Sequence, residues 1–368
     1  MIIRIFKWML GILFIGVVGL TAILYFGAYH PRSIEHVPII SPTTSPKLRS
    51  GQSLKMMSWN VQYMAGTNYV FWYEGGSDIK PSQEDIQQST QEVAQVIIRE
   101  NPDIILLQEV DQGAARSYYK DQIESLLAYL PAEYTSLSSA FYWKAFFVPH
   151  PKIWGSVGTK LSVISKYQIN GAIRHQLAHI DKKVQNWYDP ISFWLEKQFH
   201  LKRAVLELSF PLESGENFIV YNTHLTAYPG KGSTVLTRQV SEIKKLLSEK
   251  DQGGISWVLG GDLNLLPPGV SSKGLQLTEG EFYNPNSEIK PLFEQYTVFP
   301  KPQKGIDPST QFTYIPNLLS KKVADRTLDY FFVSPGIRLD SAQVLQKNAK
   351  NISDHYPIII QITLPDRE

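Results

Sequence analysis

The sequence of 368 residues predicts an α/β domain that follows one N-terminal transmembrane helix. Three observations lead to this prediction. An uncharged stretch runs from Trp8 to Tyr29, strand-like apolar runs alternate with two amphipathic helical segments further along, and short polar motifs stand at the edges of those runs. A hydrophobic content of 43% with 19% charged residues excludes an intrinsically disordered chain.

The N-terminal apolar stretch is long enough to cross a hydrocarbon core of roughly 30 Å as a helix. Arg4 and Lys7 precede it, so the positive-inside rule places the N-terminus in the cytoplasm and the bulk of the chain outside. A cleaved signal peptide is the alternative, but the run exceeds a usual signal core and no small-x-small pair ends it. We therefore expect residues 1–30 to be a retained, single-pass signal anchor.

Composition bounds the rest of the chain. Four prolines with Ser and Thr make residues 31–52 an extended tether without a core of its own, and residues 53–368 read as one domain. The absence of Cys excludes disulfides, thiolate zinc sites and a cysteine nucleophile. Residues 53–368 hold 31 basic and 33 acidic residues, so they lack the overall basic surface of a non-specific nucleic-acid binder.

Two helices and a series of strands follow from periodicity. Ser82 caps a helix that ends at Asn101-Pro102, and a second helix runs from about Thr234 to Lys250. The predicted strands are 103–110, 161–169, 203–210, 217–225, 255–259, 328–334 and 356–364. Two packed sheets with helices outside fit this pattern, but periodicity alone does not decide the topology.

Six polar motifs stand at the edges of strand-like runs. They are Ser58-Trp59-Asn60, Leu107-Gln108-Glu109, Asn222-Thr223-His224, Gly261-Asp262-Leu263-Asn264, Leu328-Asp329-Tyr330 and Ser353-Asp354-His355. Each motif alone is compatible with a turn, a cap or a satisfied core residue. Together they predict one polar site at a rim of the sheets.

The residue types indicate a divalent cation and a phosphate. Glu109 ends an apolar strand, where a carboxylate must be paired, hydrated or bound to metal. Oxygen ligands without Cys favour Mg²⁺ or Mn²⁺ over zinc. Asp262 and Asn264 alternate on one strand end, so one could orient or deprotonate water while the other donates to a phosphoryl oxygen. Asp354 could add metal or base character.

The histidines fit the same chemistry. His224 and His355 could hold the charge that builds on phosphate oxygens during in-line attack. A buried Asp329 bonded to His355 would keep that imidazole protonated near neutral pH. His175 and His179, four residues apart, could be a metal pair on a helix; without an acidic partner beside them, we interpret them as structural.

The ordered motifs resemble the endonuclease/exonuclease/phosphatase superfamily over about residues 54–364. This resemblance implies a four-layered α/β sandwich of two packed mixed β-sheets flanked by helices, with Mg²⁺-dependent phosphoester cleavage by direct water attack. It implies metal ligation by Glu109 with Asn60 and Asp354 nearby, water activation by Asp262, phosphate contacts from Asn264, His224 and His355, and orientation of His355 by Asp329. Arg238-Gln239 resembles a recurring pair of structural role, whereas Lys160 stands where many nucleases carry a different stretch and is an unassigned cation that could face phosphate.

Two aromatic clusters bear on the substrate. They are Tyr69-Val70-Phe71-Trp72-Tyr73 and the set Trp187, Tyr188, Phe193, Trp194 and Phe199. Such rings could meet lipid headgroups, stack nucleic-acid bases or fill the core. With the anchor and the slightly acidic domain, a lipid or small organic phosphodiester is preferred. The alternatives are a membrane-anchored, Mg²⁺-dependent nuclease and a catalytically inactive surface-binding module.

Overall fold

The computed structural model of the protein describes residues 1–180, 189–229, 233–273, 275, 280–316 and 323–366. Within these ranges, two seven-stranded mixed sheets pack together and helices cover their outer faces. The predicted four-layered α/β sandwich is therefore confirmed.

The helices and strands have the following bounds. The helices are α1 Ile2–Phe26, α2 Gln83–Glu100, α3 Gln122–Leu127, α4 Asp189–Phe199, α5 Val235–Gln252 and α6 Lys290–Gln295. The strands are β1 Ile34–His36, β2 Ile39–Ile40, β3 Ser53–Asn60, β4 Ile104–Asp111, β5 Ser136–Val148, β6 Gly155–Ser165, β7 Gly171–Gln176, β8 Ala204–Pro211, β9 Asn217–His224, β10 Trp257–Asp262, β11 Thr297–Phe299, β12 Asp329–Val333, β13 Arg338–Val344 and β14 Ile358–Thr363.

Sheet topology brings the polar motifs to one rim. One sheet has the order β13-β14-β3-β4-β6-β5-β2 and the other β1-β7-β8-β9-β10-β12-β11. The pairs β3–β4 and β9–β10 are parallel, so the carboxyl ends within each pair lie at the same edge. Those two edges meet, because Asn60 at the end of β3 contacts Asp262 at the end of β10.

Three apolar layers hold the sandwich together. The central layer lies between the sheets and includes Leu106, Val258 and Phe331. At Gly260 a Cβ atom would stand 2.5 Å from the Phe331 ring and 2.9 Å from Leu106 Cδ2, so the sheets approach too closely there for a larger residue. The outer layers pack α2 and α3 on one sheet, and α5 and α6 on the other.

The ends of α2 match the predicted signals. Ser82 Oγ accepts a hydrogen bond from the Asp85 amide at 3.0 Å, which satisfies one of the unpaired amides of the first turn. Asn101 ends the helix in the left-handed conformation with φ 50°. Helix α1 is long and apolar enough over Ile3–Phe26 to span a membrane, with a mean hydropathy of 2.4.

Several strand predictions were wrong in extent. The strand expected at 161–169 is β6, which begins at Gly155 and ends at Ser165. Strand β5 was not predicted, although buried and more exposed positions alternate over most of its 13 residues. The helix suggested for the His175 and His179 pair is also absent, since His175 lies in β7. His175 Nε2 lies 2.8 Å from Glu207 Oε2, an acidic partner that β8 brings from 32 residues away.

Residues 31–52 lie along the sandwich. Strand β1 pairs with β7 and strand β2 pairs with β5, so this segment adds an edge strand to each sheet. Leu48 is fully buried in the central layer, and its amide donates to the Pro211 carbonyl at 3.1 Å. The chain between α1 and β3 is therefore attached to the domain along its length, as the bond from the Gln168 amide to the Pro46 carbonyl at 2.8 Å also shows.

Candidate active site

Strand register places Asp262 at the centre of the polar rim. As the last residue of β10, it stands opposite His224 at the end of the parallel strand β9. On its other side it stands opposite Asp329 at the start of the antiparallel strand β12. The three motifs that carry these residues therefore meet because the residues are paired across adjacent strands of one sheet.

The Asp262 carboxylate contacts four other residues of the site. Asn60 Nδ2 donates to Asp262 Oδ2 at 3.0 Å, and the Asn264 amide donates to Oδ1 at 2.9 Å. His224 Nε2 lies 3.4 Å and His355 Nε2 3.6 Å from Oδ2. With its side chain 1% exposed, Asp262 lies among donors that orient both of its oxygens.

Burial and neighbouring charges determine the protonation of Asp262 and His355. Burial raises the pKa of Asp262 to about 7, with the His355 charge lowering it and the Asp329 charge raising it. For His355, burial lowers the pKa, but the charges of Asp329 and Asp262 outweigh it and raise it well above its ordinary value. The expected bond is present, since His355 Nδ1 lies 2.8 Å from Asp329 Oδ2. His355 is therefore a cation at neutral pH.

His224 is in a different state from His355. Burial lowers the pKa of His224 well below its ordinary value, and the charges of Arg203 and His355 lower it further. A neutral imidazole at this position can donate one hydrogen bond, but it does not carry the positive charge expected of both histidines. The structure thus assigns the charge at neutral pH to His355.

Glu109 approaches the rim from a β-bulge in β4. The pairing of β4 with β6 is irregular between Leu107 and Val110, and Glu109 has the left-handed φ of 57°. A bulge turns a side chain away from its regular direction, and here the Glu109 side chain stays 16% exposed. Its Oε1 lies 3.8 Å from His224 Nδ1, which joins it to the Asp262 group.

The oxygen donors around Glu109 fit a hard divalent cation. Asp354 is buried, and burial raises its pKa to about 6, with His355 lowering it and the Glu109 charge raising it. Two carboxylates that repel each other form a donor set that a dication would stabilise. The Asn60 Oδ1 atom accepts from the Gln62 amide at 3.1 Å and can add a third oxygen.

Asp262, Asp329 and His355 form a second acidic group, with ligand atoms all within 4.8 Å of one another. A protonated His355 cannot ligate a metal, and its Nδ1 is already bonded to Asp329. We therefore interpret this trio as a hydrogen-bonded relay, distinct from the donor set around Glu109.

The profile of the endonuclease/exonuclease/phosphatase family matches residues 57–355, which contain all six motifs. The chain belongs to this family. Members of the family are typically metal-dependent hydrolases that act on phosphoesters. Comparison with curated proteins returned no match.

Solved structures of the same fold agree with the family match. A family protein from Beutenbergia cavernae is 19% identical with a TM-score of 0.54, covering 85% of this chain and 72% of that one. The human Nocturnin catalytic domain, solved with a bound sulfate anion, is 17% identical with a TM-score of 0.51, covering 89% and 96%. A family protein from Bacteroides vulgatus is 16% identical with a TM-score of 0.50, covering 85% and 99%. At these identities the likeness shows the fold alone.

In this member of the family, two residues that sequence reasoning did not single out border the histidines. Tyr142 of β5 places its hydroxyl 3.5 Å from His224 Nδ1. The Arg203 guanidinium lies over the Tyr142 ring, 5.0 Å from its centroid, and Arg203 is 7% exposed. The alternation of β5 is the signal that could have located Tyr142, whereas the position of Arg203 depends on how β8 packs.

Two other sequence-based assignments are resolved by contacts. Gln239 is fully buried, and its Oε1 accepts a hydrogen bond from the Thr226 amide at 3.1 Å. It therefore holds the loop that follows His224, as expected of a structural residue. Lys160 is 4% exposed, and its ammonium group lies 3.1 Å from Gln112 Oε1 and 3.4 Å from Asp121. Lys160 therefore pairs with Asp121, the residue that caps α3, and is not placed among the site residues.

An aromatic cavity of about 390 Å³ lies beside the end of β4, where its wall residue Arg116 is bonded to Asp111. Its walls include Tyr73, Arg116, Trp143 and Trp154. Arg116 lies 3.2 Å from the centroid of the Tyr63 ring, and its Nε donates to Asp111 Oδ2 at 2.8 Å. Burial raises the pKa of Tyr63, and the charge of Glu109 raises it further.

The predicted aromatic clusters are only partly in this cavity. Phe71, Trp72 and Tyr73 line it, and Trp72 stacks on His150 with centroids 4.6 Å apart. Phe193, Trp194 and Phe199 lie in α4. Trp187 and Tyr188 lie outside the described residues.

Proposed function

We propose that this protein is a membrane-anchored, divalent-metal-dependent phosphodiesterase that cleaves its substrate by direct attack of water on phosphorus. The observation that carries the proposal is the environment of Asp262. Its carboxylate, whose pKa is raised to about 7, lies within 3.6 Å of two histidines, the neutral His224 and the cationic His355. A carboxylate with a pKa near the working pH is suited to accept a proton from attacking water.

Each neighbouring residue has a role in this proposal. Asn60 and the Asn264 amide fix the orientation of the Asp262 oxygens, and the neutral His224 donates to a phosphoryl oxygen. The Asn264 side chain donates to the Leu225 carbonyl at 3.2 Å, which leaves its second amide hydrogen for the phosphate. Each of these groups is held before substrate arrives, so little reorganisation is needed in the transition state.

His355 supplies fixed positive charge. Asp329 holds its Nδ1 hydrogen, so Nε2–H points toward the reacting centre and can stabilise the negative charge that builds on the phosphoryl oxygens. Glu109, Asp354 and Asn60 would hold Mg²⁺ or Mn²⁺, which when bound supplies further positive charge to the phosphate.

The preferred substrate is a lipid or another small organic phosphodiester. The apolar helix α1, the cavity lined by aromatic rings and the slightly acidic composition of residues 53–368 support this choice. In this arrangement residues 1–30 anchor the chain in the membrane with the N-terminus in the cytoplasm. Residues 31–52 connect the anchor to residues 53–368, which form the catalytic domain outside the cytoplasm. A nuclease is the second candidate, because Tyr73, Trp143 and Trp154 could stack bases.

A substrate panel tests the proposal. Full-length protein in detergent micelles is assayed on a phospholipid, sphingomyelin, DNA, an inositol phosphate and an aryl phosphodiester, with Mg²⁺, Mn²⁺ or EDTA. We expect metal-dependent cleavage of a lipid or aryl diester that Asp262→Asn abolishes. Robust cleavage of DNA without turnover of any lipid would instead select the nuclease, and binding without hydrolysis would select an inactive surface-binding module.

A further inference from the structure

We propose that the tip of the β5–β6 hairpin, around Phe146 and Trp154, contacts the bilayer that α1 spans and seats the domain directly on its surface. The partner is a membrane containing anionic lipid. This inference depends on the anchoring part of the proposed function and is independent of catalysis.

The first observation is a backbone connection between α1 and the hairpin. Gly27 immediately follows α1, and its carbonyl accepts a hydrogen bond from the Phe146 amide at 2.8 Å. Ala28 forms a bridge with Ala145 in the next position. Because Phe146 is bonded to the first residue beyond the helix, its backbone lies at the same depth as the end of the membrane span.

The second observation is that the segment after α1 is held by contacts and is not a free linker. Tyr29 Oη donates to Glu35 Oε2 at 3.0 Å, and β1 then begins at Ile34 on the edge of a sheet. His30 stacks on Tyr25, the last but one residue of α1, with centroids 4.4 Å apart. The chain is thus fixed to both the helix and the domain, so the domain cannot move far from the membrane surface.

The third observation is the chemistry of the hairpin tip. Phe146 is 82% exposed and Trp154 is 69% exposed, so two large rings project from the end of this hairpin. Aromatic residues are favoured at the membrane–water interface. Lys144 and Lys152 are exposed beside them and would attract anionic headgroups, with a contribution of about 1 kcal/mol per cation near the surface.

Trp154 also belongs to the wall of the aromatic cavity, together with the exposed side chains of Ile79 and Tyr119. Lys80 and Lys152 line the same cavity, and their charges would attract a phosphate-bearing headgroup. The cavity therefore shares Trp154 with the hairpin tip.

Site-specific labelling measures the contact directly, because the natural chain has no Cys. Full-length Phe146→Cys and Trp154→Cys variants carry an environment-sensitive fluorophore in nanodiscs of phosphatidylcholine and phosphatidylglycerol. Ile98→Cys is the matched control, since Ile98 is 45% exposed on α2. We expect brominated lipids to quench the labels at 146 and 154 on the order of threefold more than the label at 98.

A functional measurement uses the variant Phe146→Ser, whose ring lies outside the aromatic cavity, with Ile98→Ser as its control. We expect KM for vesicle-borne lipid to rise by about 10-fold, with unchanged turnover of a soluble aryl phosphodiester.

The outcomes separate this inference from the proposed function. Labels at 146 and 154 that are no better quenched than the label at 98 would overturn the membrane contact, as would failure of α1 to integrate into the nanodisc. Quenched labels in a protein that cleaves no phosphodiester would support the contact and count against the catalytic proposal.

Discussion

Asp329 Oδ2 lies 2.8 Å from Nδ1 of His355, while the opposite nitrogen of that imidazole lies 3.6 Å from Asp262 Oδ2. The two acids come from neighbouring strands at one ladder position, and the histidine from the loop before β14. This arrangement keeps a buried imidazole cationic between two carboxylates.

Asp329→Asn should lower the pKa of His355 and reduce kcat by on the order of 10²–10⁴. Because the folded pKa of His355 is raised, the stabilisation from Asp329 is full below the unfolded pKa of about 6.5 and is lost as the pH rises through the folded pKa. NMR titration of the metal-free protein measures the pKa. Asp340→Asn, at an exposed position, is the control, and an unchanged His355 pKa in Asp329→Asn would contradict the relay.

Asp262→Asn should abolish hydrolysis and lower the free energy of unfolding by about 1–3 kcal/mol. Both carboxylate oxygens accept hydrogen bonds, so the amide NH2 group would face a buried donor, and the attraction to His355 would be lost. Steady-state rates and urea unfolding give the two quantities. Hydrolysis at near-natural rates in this variant would show that Asp262 is not the base.

Glu109→Gln should raise the Mg²⁺ concentration for half-maximal activity by at least about 10-fold, since a neutral amide is a weaker ligand for a hard cation than a carboxylate. Calorimetric titration with Mg²⁺ measures the same loss without substrate. Glu213→Gln, exposed in the turn between β8 and β9, should behave as the natural protein. Equal metal affinity in all three proteins would exclude Glu109 as a ligand.

Glu207→Gln should lower the free energy of unfolding by about 2 kcal/mol, because buried Glu207 binds both His175 Nε2 at 2.8 Å and Lys250 Nζ at 2.7 Å. Burial raises the pKa of Glu207, but these two hydrogen bonds outweigh it and the net pKa is lowered. The stabilisation is therefore full above the unfolded pKa of about 4.3 and is lost as the pH falls through the folded pKa. Denaturant unfolding at pH 7 and pH 3 should show the difference between the proteins shrinking at the lower pH.

Lys301→Cys should react with a membrane-impermeant maleimide in intact cells, whereas Ile3→Cys should react only after the membrane is dissolved. Lys301 is exposed on the domain and Ile3 lies at the start of α1, on the side that the positive-inside rule assigns to the cytoplasm. The reverse labelling pattern would invert the proposed topology. Release of a soluble domain lacking α1 would show that the segment is a cleaved signal.

Local sequence signals accounted for much of the fold. The Ser82 cap and the amphipathic faces of α2 and α5 were visible because helix periodicity and capping depend on neighbours within a few residues. Strand β5 was missed although it alternates, and the bounds of β6 were wrong, because strand pairing is decided by distant partners. The attachment of residues 31–52 to both sheets was likewise invisible in a proline-rich segment.

The sequence by itself determined which groups are present: carboxylates, amides and imidazoles at strand ends, an uncharged stretch of membrane length, and no thiols. Only the tertiary structure decided their states. His224 and His355 look alike in the sequence, but burial and the nearby Arg203 lower the pKa of His224, whereas the charges of Asp329 and Asp262 outweigh burial and raise the pKa of His355. The protonation states of the two histidines depend on residues that are distant in sequence and adjacent in space. The same is true of the direction of the Glu109 side chain and of the position of Phe146 beside Gly27. No local sequence pattern records such contacts.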